Sequence, residues 1–340
     1  MRPSGVNPDD LAACRALLCS GSRSFFAASL LLPKRVRDPA TALYAFCRVA
    51  DDAIDLGDDP AAALQALNTR LDAAYAGAPA QNPVDRAFAA TVKTFSIPKT
   101  LPAALIEGLA WDAAGRRYKN FAELLDYAAR VAGAVGVMMA VVMGVRDSTS
   151  LARAADLGVA MQLSNIARDV GEDASAGRVF LPLDWLQEAG IDAPALLRAP
   201  AFTPALGGVV RRLLDEADAL YARAESGIFF LPLDCRVGIA AARRIYAAIG
   251  TEVAAAGYNS VSQRARVSGR RKLALAGLAV KDALLPATGA QAPALPANLF
   301  LLRDAAMEPV VAPKAIVKLL TMFERLERAQ HGLEQDRSLA

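Results

Sequence analysis

Two short runs of acidic residues carry the chemistry that this chain's residue types permit. The first is Asp51-Asp52-Ala53-Ile54-Asp55. The second lies within Asn165-Ile166-Ala167-Arg168-Asp169-Val170-Gly171-Glu172-Asp173. Tyr44, Arg48, Asp51 and Asp55 are spaced 4, 3 and 4 apart, and Gln162, Asn165, Asp169 and Asp173 are spaced 3, 4 and 4 apart. In a helix each set lines one face. Aspartate is a mediocre helix former, and like charges at i, i+4 cost about 0.2–0.5 kcal/mol per pair. A solvated helix face is the plain alternative, but such a face normally mixes in lysine, and neither stripe has one. Two rows of carboxylates repel unless a cation lies between them. Magnesium prefers carboxylate and amide oxygens and bridges to substrate phosphates. The pattern therefore points to a magnesium–diphosphate site.

Diphosphate also needs permanent cations. Arg48 and Arg168 lie inside the two clusters, and a guanidinium grips phosphate oxygens in bidentate fashion. Ser20-Gly21-Ser22-Arg23-Ser24-Phe25 reads either as a Ser-rich capping loop or as hydroxyls and N–H groups offered to phosphate at a helix start. Arg178 follows Ala176-Gly177, and its role is open at this point. Arg264, Arg266, Arg270, Arg271 and Lys272 form a basic run that reads as solvated surface. Tyr127 and Tyr246 sit on apolar helices, where they serve either core packing or an aromatic face toward a carbocation.

The elements that must position these groups read as helices throughout. The chain has 340 residues, 54% hydrophobic and 21% charged, with net charge +3. Ala and Leu abound, while aromatic and β-branched residues are sparse, so helix is the default. One all-α domain spanning 1–340 is expected. Asp38-Pro39 reads as an N-cap with proline at the first helical position, opening the helix of the first cluster. Helices are expected over about 121–145, 151–170, 209–226 and 234–256. Residues 174–208 read as a long turn with short helices. The glycines 133, 136 and 144 let the first of these helices either pack closely or line a smooth tunnel. Phe-Leu-Pro-Leu-Asp occurs at 180–184 and 230–234, each read as an Asp-capped helix start. Residues 287–296 read as a low-complexity loop and 314–326 as an amphipathic terminal helix.

Composition excludes several classes. His331 is the single histidine, which argues against a Ser-His-Asp triad or a His-based zinc site. No Lys/Arg stripe or interleaved aromatic motif suggests nucleic acid. Four cysteines without CxxC pairing read as reduced thiols. The first ten residues lack the apolar segment of a signal peptide. The uncharged run 131–145 is too short to span a bilayer. A cytoplasmic location follows as an expectation, with transient contact at the inner face of the membrane through 314–326. Oligomeric state is not legible.

Taken together, these motifs resemble the squalene/phytoene synthase family, the head-to-head isoprenoid synthases. The resemblance covers roughly 15–275. It rests on Ser22-Arg23-Ser24-Phe25, on the stretch from Tyr44 to Asp55, on that from Gln162 to Asp173, and on Arg178-Val179-Phe180-Leu181-Pro182. Segments 158–182 and 231–245 are most similar to the bacterial phytoene-forming members. The resemblance implies an all-α isoprenoid-synthase helical fold with a central apolar cavity and prenyl diphosphate substrates. Asp51, Asp55, Asn165, Asp169 and Asp173 would hold Mg2+, with Mn2+ as a substitute. Ser22, Arg23, Tyr44, Arg48, Gln162, Asn165, Arg168 and Arg178 would contact diphosphate. Tyr127 and Tyr246 would shape the reaction cavity. The implied reaction joins two geranylgeranyl diphosphates through prephytoene diphosphate to phytoene, in carotenoid biosynthesis. No nicotinamide cofactor is expected. Squalene, dehydrosqualene or presqualene diphosphate synthesis from farnesyl diphosphate is the alternative within the family. A cyclase or an elongating prenyltransferase fits the second cluster poorly. A non-catalytic cation- or lipid-binding helical scaffold is the alternative of another class.

Overall fold

The computed structural model describes residues 5–55, 57, 59–284 and 292–306. Every regular element among them is helical. In order these are α1 (Pro8–Gly21), α2 (Arg23–Ser29), α3 (Lys34–Asp55), α4 (Pro60–Tyr75), α5 (Pro83–Phe95), α6 (Thr100–Ala113) and α7 (Phe121–Ala128). A π-helical turn (Ala129–Gly133) joins α7 to α8 (Ala134–Val142). Then come α9 (Ser148–Ser175), α10 (Leu183–Glu188), α11 (Ala193–Arg198), α12 (Pro204–Ile228), α13 (Leu233–Ala255) and α14 (Gly269–Leu284). A 3-10 turn (Pro296–Asn298) leads into α15 (Leu299–Ala305). These residues belong to one unit that ends at Ala306. The expected terminal helix 314–326, His331 and part of the loop 287–296 lie outside the described residues.

Local chemistry sets most helix starts. Asn7, Ser22, Asp59, Asn82, Asn120, Asp147, Asp192 and Thr203 each accept a first-turn backbone N–H, supplying an acceptor for donors that have none within the helix. Five of these helices also carry proline in the first turn, where its missing N–H costs nothing.

Three expectations are corrected here. Helix α3 begins at Lys34, not Pro39. The Pro33 carbonyl accepts from the Val36 and Arg37 N–H groups and starts the helix, so Asp38 and Pro39 lie inside it. Burial of the α3 face from Val36 to Phe46 outweighs the one hydrogen bond that proline cannot make. At both Phe-Leu-Pro-Leu-Asp sites a helix does start, but proline holds the cap position and the aspartates fall two residues too deep to cap. Asp184 accepts from the Trp185 N–H instead, and Asp234 receives Arg35. The helix over 121–145 is continuous through Val142 but passes through the π turn, and it runs on past Arg130. Phe121–Val142 is thus long and apolar enough to cross a membrane, yet 61% of its most apolar window is buried inside the protein. It packs against α6 and α9 as a core element.

Helix α9 is the axis of the fold, packed by α8, α12 and α13. Glycines let α8 and the π turn come close. A Cβ at Gly158 would collide with the Ala132 carbonyl, and one at Gly136 with that of Ala154. Both glycines also line the internal chamber, so the two uses of such residues coincide. Gly158→Ala is expected to destabilise the protein by about 1–3 kcal/mol, because backbone must move to admit the methyl. Chemical denaturation of the two proteins checks this.

Candidate active site

The first acidic row ends α3. Its arginine is engaged by Asp52 rather than Asp51: Arg48 Nε donates to Asp52 Oδ2 at 3.0 Å and Nη2 lies 2.7 Å from Oδ1, while Asp51 is 3.9 Å away. The second row lies near the end of α9. There Asp169 receives two guanidinium groups, Arg168 at 2.7 and 2.5 Å and Arg264 at 2.8 and 3.1 Å. Arg264 also lies 3.4 Å from Glu172.

Arg178 ties the rows together. Gly177 adopts φ +79 just after α9, a left-handed turn that glycine takes without strain. The Arg178 N–H then donates to the Asp173 carbonyl at 2.8 Å. Its side chain crosses to the other row, with Nη1 2.7 Å from Asp55 Oδ1. Helix α8 touches both α3 and α9, so the rows stand on separate walls of one space.

The carboxyls respond as crowded charges do. Burial, and then the charge of Asp55, push Asp51 up to about 6 against the pull of Arg48. Burial, and then Asp169, push Asp173 up to about 7. Burial also raises Asp169, but its hydrogen bonds to Arg168 and Arg264 win and hold it below the usual carboxylate range. A further acid on α6, Asp112, is raised to about 7 by burial although the Tyr127 hydroxyl donates to it at 2.7 Å. Among the described residues no three carboxylate, thiol or imidazole groups are gathered closely enough to hold a metal ion. Arginines stand among the acids instead. The donor set nevertheless fits a hard divalent cation. It is all oxygen, and its unpaired acids are strained toward the neutral form by burial and mutual repulsion.

A chamber of about 230 Å³ opens beside the rows. Tyr44, Gln162 and Asn165 form its polar end, and Tyr246 is part of its wall. The rest is mainly Ala, Val, Leu, Met and Gly from α3, α8, α9, α12 and α13. Tyr44 also stacks on Phe25 at 5.4 Å, and Gly21 leaves room for its hydroxyl.

The remaining expected residues divide. The Ser22 oxygen caps α2, accepting from the Phe25 N–H at 3.2 Å, so the capping reading holds for it. The Arg23 side chain lies outside the described residues. Tyr127 is not in the chamber wall. It is buried behind the acids, bonded to Asp112 and stacked on Phe180 at 5.3 Å. Its hydroxyl needs an acceptor when buried, and Asp112 is that acceptor. The basic run is not plain surface, since Arg264 reaches Asp169 and Arg271 pairs with Glu252 at 2.6 Å. Sequence reasoning missed Arg264 and Asp112. Asp112 left a signal, being one of only two acids in the otherwise apolar helix α6; Arg264 left none.

A family model for squalene/phytoene synthase matches residues 18–271. The chain belongs to the squalene/phytoene synthase family. It is 50% identical over 334 residues to a phytoene synthase of Rhodobacter capsulatus, covering 96% of this chain and 98% of that one. To a phytoene synthase of Cereibacter sphaeroides it is 53% identical over 290 residues, 82% of each chain. Among solved structures, a dehydrosqualene synthase superposes with TM-score 0.73 at 29% identity, covering 80% of this chain and 96% of that one. A squalene synthase from Alicyclobacillus acidocaldarius gives 0.67 at 28% identity, with 74% and 95% covered. The family's isoprenoid-synthase architecture is therefore that of this fold.

A carboxyl whose folded pKa is raised binds its proton more tightly folded than unfolded, so stability falls as pH climbs from the ordinary carboxylate range to the raised value. For Asp112 and Asp173 that upper limit is about 7. In chelator, stability should decline from about pH 4 to about pH 7, and Asp173→Asn should flatten the slope. Urea titrations across that range measure it.

Proposed function

We propose that this chain condenses two geranylgeranyl diphosphates head to head into phytoene, in carotenoid biosynthesis. The observation that carries the reading is the pair of carboxylate rows, tied by Arg178, at the polar end of an apolar chamber. Identity of 50–53% to two phytoene synthases supports the product.

In the proposed reaction the C1–oxygen bond of one substrate breaks and diphosphate leaves. The allylic cation is attacked by the double bond of the second substrate, and proton loss gives prephytoene diphosphate. That intermediate loses its own diphosphate, rearranges and loses a second proton to give phytoene. The sequence is redox-neutral, so it calls for no nicotinamide. Asp51, Asp55, Asn165, Asp169 and Asp173 would hold magnesium, for which manganese is a chemical substitute. When bound, the ion neutralises charge on the leaving diphosphate.

The chain's own residues supply the rest. Arg48, Arg168, Arg178 and Arg264 present fixed positive charge where diphosphate oxygens develop negative charge. Tyr44, Gln162 and Asn165 offer hydrogen bonds at the chamber mouth. The apolar walls, with Tyr246 among them, keep water from quenching the cations. Tyr127 serves from behind by holding Asp112. Released diphosphate is the available base for the protons. We also place the reaction in the cytoplasm, as its four free cysteines suit. The amphipathic 314–326 segment would touch the membrane surface to deliver an insoluble product.

Incubation with geranylgeranyl diphosphate and magnesium should yield phytoene and free diphosphate. A C30 product from farnesyl diphosphate, with phytoene absent, would favour the squalene-type alternative, and absence of diphosphate release would favour a non-catalytic scaffold. Asp51→Ala and Asp169→Ala should each keep native helical circular dichroism but lose at least about a hundredfold in kcat. Steady-state assays of the purified variants check this, and ordinary turnover in both would refute the assigned roles.

A further inference from the structure

The chamber wall follows α9 from Asn165 at the acidic end to Arg153 and Ser150 at the other. At 1.5 Å per residue, Arg153 lies about 18 Å below Asn165. Arg153, with Ser150 one turn before it, interrupts an otherwise apolar wall at that depth. It is only 4% exposed, and its buried Nε has no hydrogen-bond partner.

The guanidinium is fixed from several sides. Its Nη2 lies 3.2 Å from Asp156 Oδ2 and 3.3 Å from the Pro293 carbonyl. Asp156 is fully buried and also receives Arg223 Nε at 3.2 Å and Asn298 Nδ2 at 3.0 Å. Arg223 in turn donates to the Pro293 carbonyl at 2.7 Å. On α12, Gly227 backs the arginine stem so closely that a Cβ there would collide with it. A methionine wall yields by changing rotamer. This arginine does not, because moving it would strip a buried carboxylate of one of its partners. A hydrocarbon tail offers its Nε no acceptor, so pressing a methyl group against it gains nothing for the buried donor.

Resting on the reaction proposed above, we propose that Arg153 is the floor of the prenyl-tail channel, a fixed charged stop that sets the longest chain accepted. Its partners also clamp residues 293–298 to α9 and α12, so the stop and the clamp share one set of contacts. A purely structural role would lower turnover of all chain lengths together. A floor changes the ratio between them.

The test compares kcat/KM of the full chain, with magnesium, for farnesyl, geranylgeranyl and geranylfarnesyl diphosphate. Arg153→Met shortens the side chain by the guanidinium, removes the charge and leaves Asp156 with Arg223 and Asn298. The geranylfarnesyl-to-geranylgeranyl ratio should rise about tenfold or more. An unchanged ratio in the folded variant overturns the proposal. Arg153→Gln, which keeps a donor for Asp156, replaces it if the methionine variant does not fold. Binding of saturated n-alkyl diphosphates of increasing length to the wild type is an independent readout. Affinity should climb with each methylene and then break at one length, whereas an unbroken climb overturns the floor. Failure of the wild type to turn over any prenyl diphosphate would sink the proposed reaction, while the alkyl series would still report on the floor.

Discussion

Like charge held in a poorly solvated place is the constraint around which this molecule is arranged. Asp51, Asp169 and Asp173 sit partly buried on two walls of one space, with Asp55 at its exposed rim, and water cannot fully screen the partly buried ones there. Arginine supplies the balance. Arg168 and Arg264 converge on Asp169, and Arg178 reaches from the end of α9 to Asp55. A guanidinium keeps its charge at any accessible pH. The rows are therefore held in place before any ligand arrives, and on the proposed reading the same arginines would meet diphosphate oxygens.

That electrostatic end needs an apolar one beside it. Helix α9 provides both, because one helix carries Asp169 and Asp173 near its C-terminal end and chamber-lining residues up to Ser150. Close packing through Gly136 and Gly158 brings α8 against it. The π turn before α8 inserts one extra residue per turn of backbone bonding, which lets a single continuous helix serve both as core against α6 and as chamber wall.

Much of this was legible in the sequence because it is periodic. Helical spacing of acids and amides shows which residues share a face, and it placed Asn165, Asp169 and Asp173 on one helix. Sequence patterning also marked α9, α12 and α13 within a few residues of their ends. What was not legible depends on contacts between distant segments. Nothing near Arg264 in sequence announces Asp169, since the two meet only after α13 ends and the chain folds back. Asp38-Pro39 carries a strong local start signal, and burial of the surrounding helix overrode it. The choice of Asp52 over Asp51 by Arg48 is a matter of rotamer and reach, which spacing alone does not rank.

Gly171 lies on α9 between Asp169 and Asp173. Its N–H donates to the Ser260 carbonyl at 3.0 Å, and a Cβ there would strike the Val261 backbone. The strand of loop that delivers Arg264 is thus seated directly on bare helix backbone. Position 171 has no chemistry of its own, yet it governs whether a cation ninety-odd residues downstream arrives at its post. Drift at that glycine would be felt as a charge defect rather than a packing defect, and no inspection of the acidic motif by itself would reveal the cause.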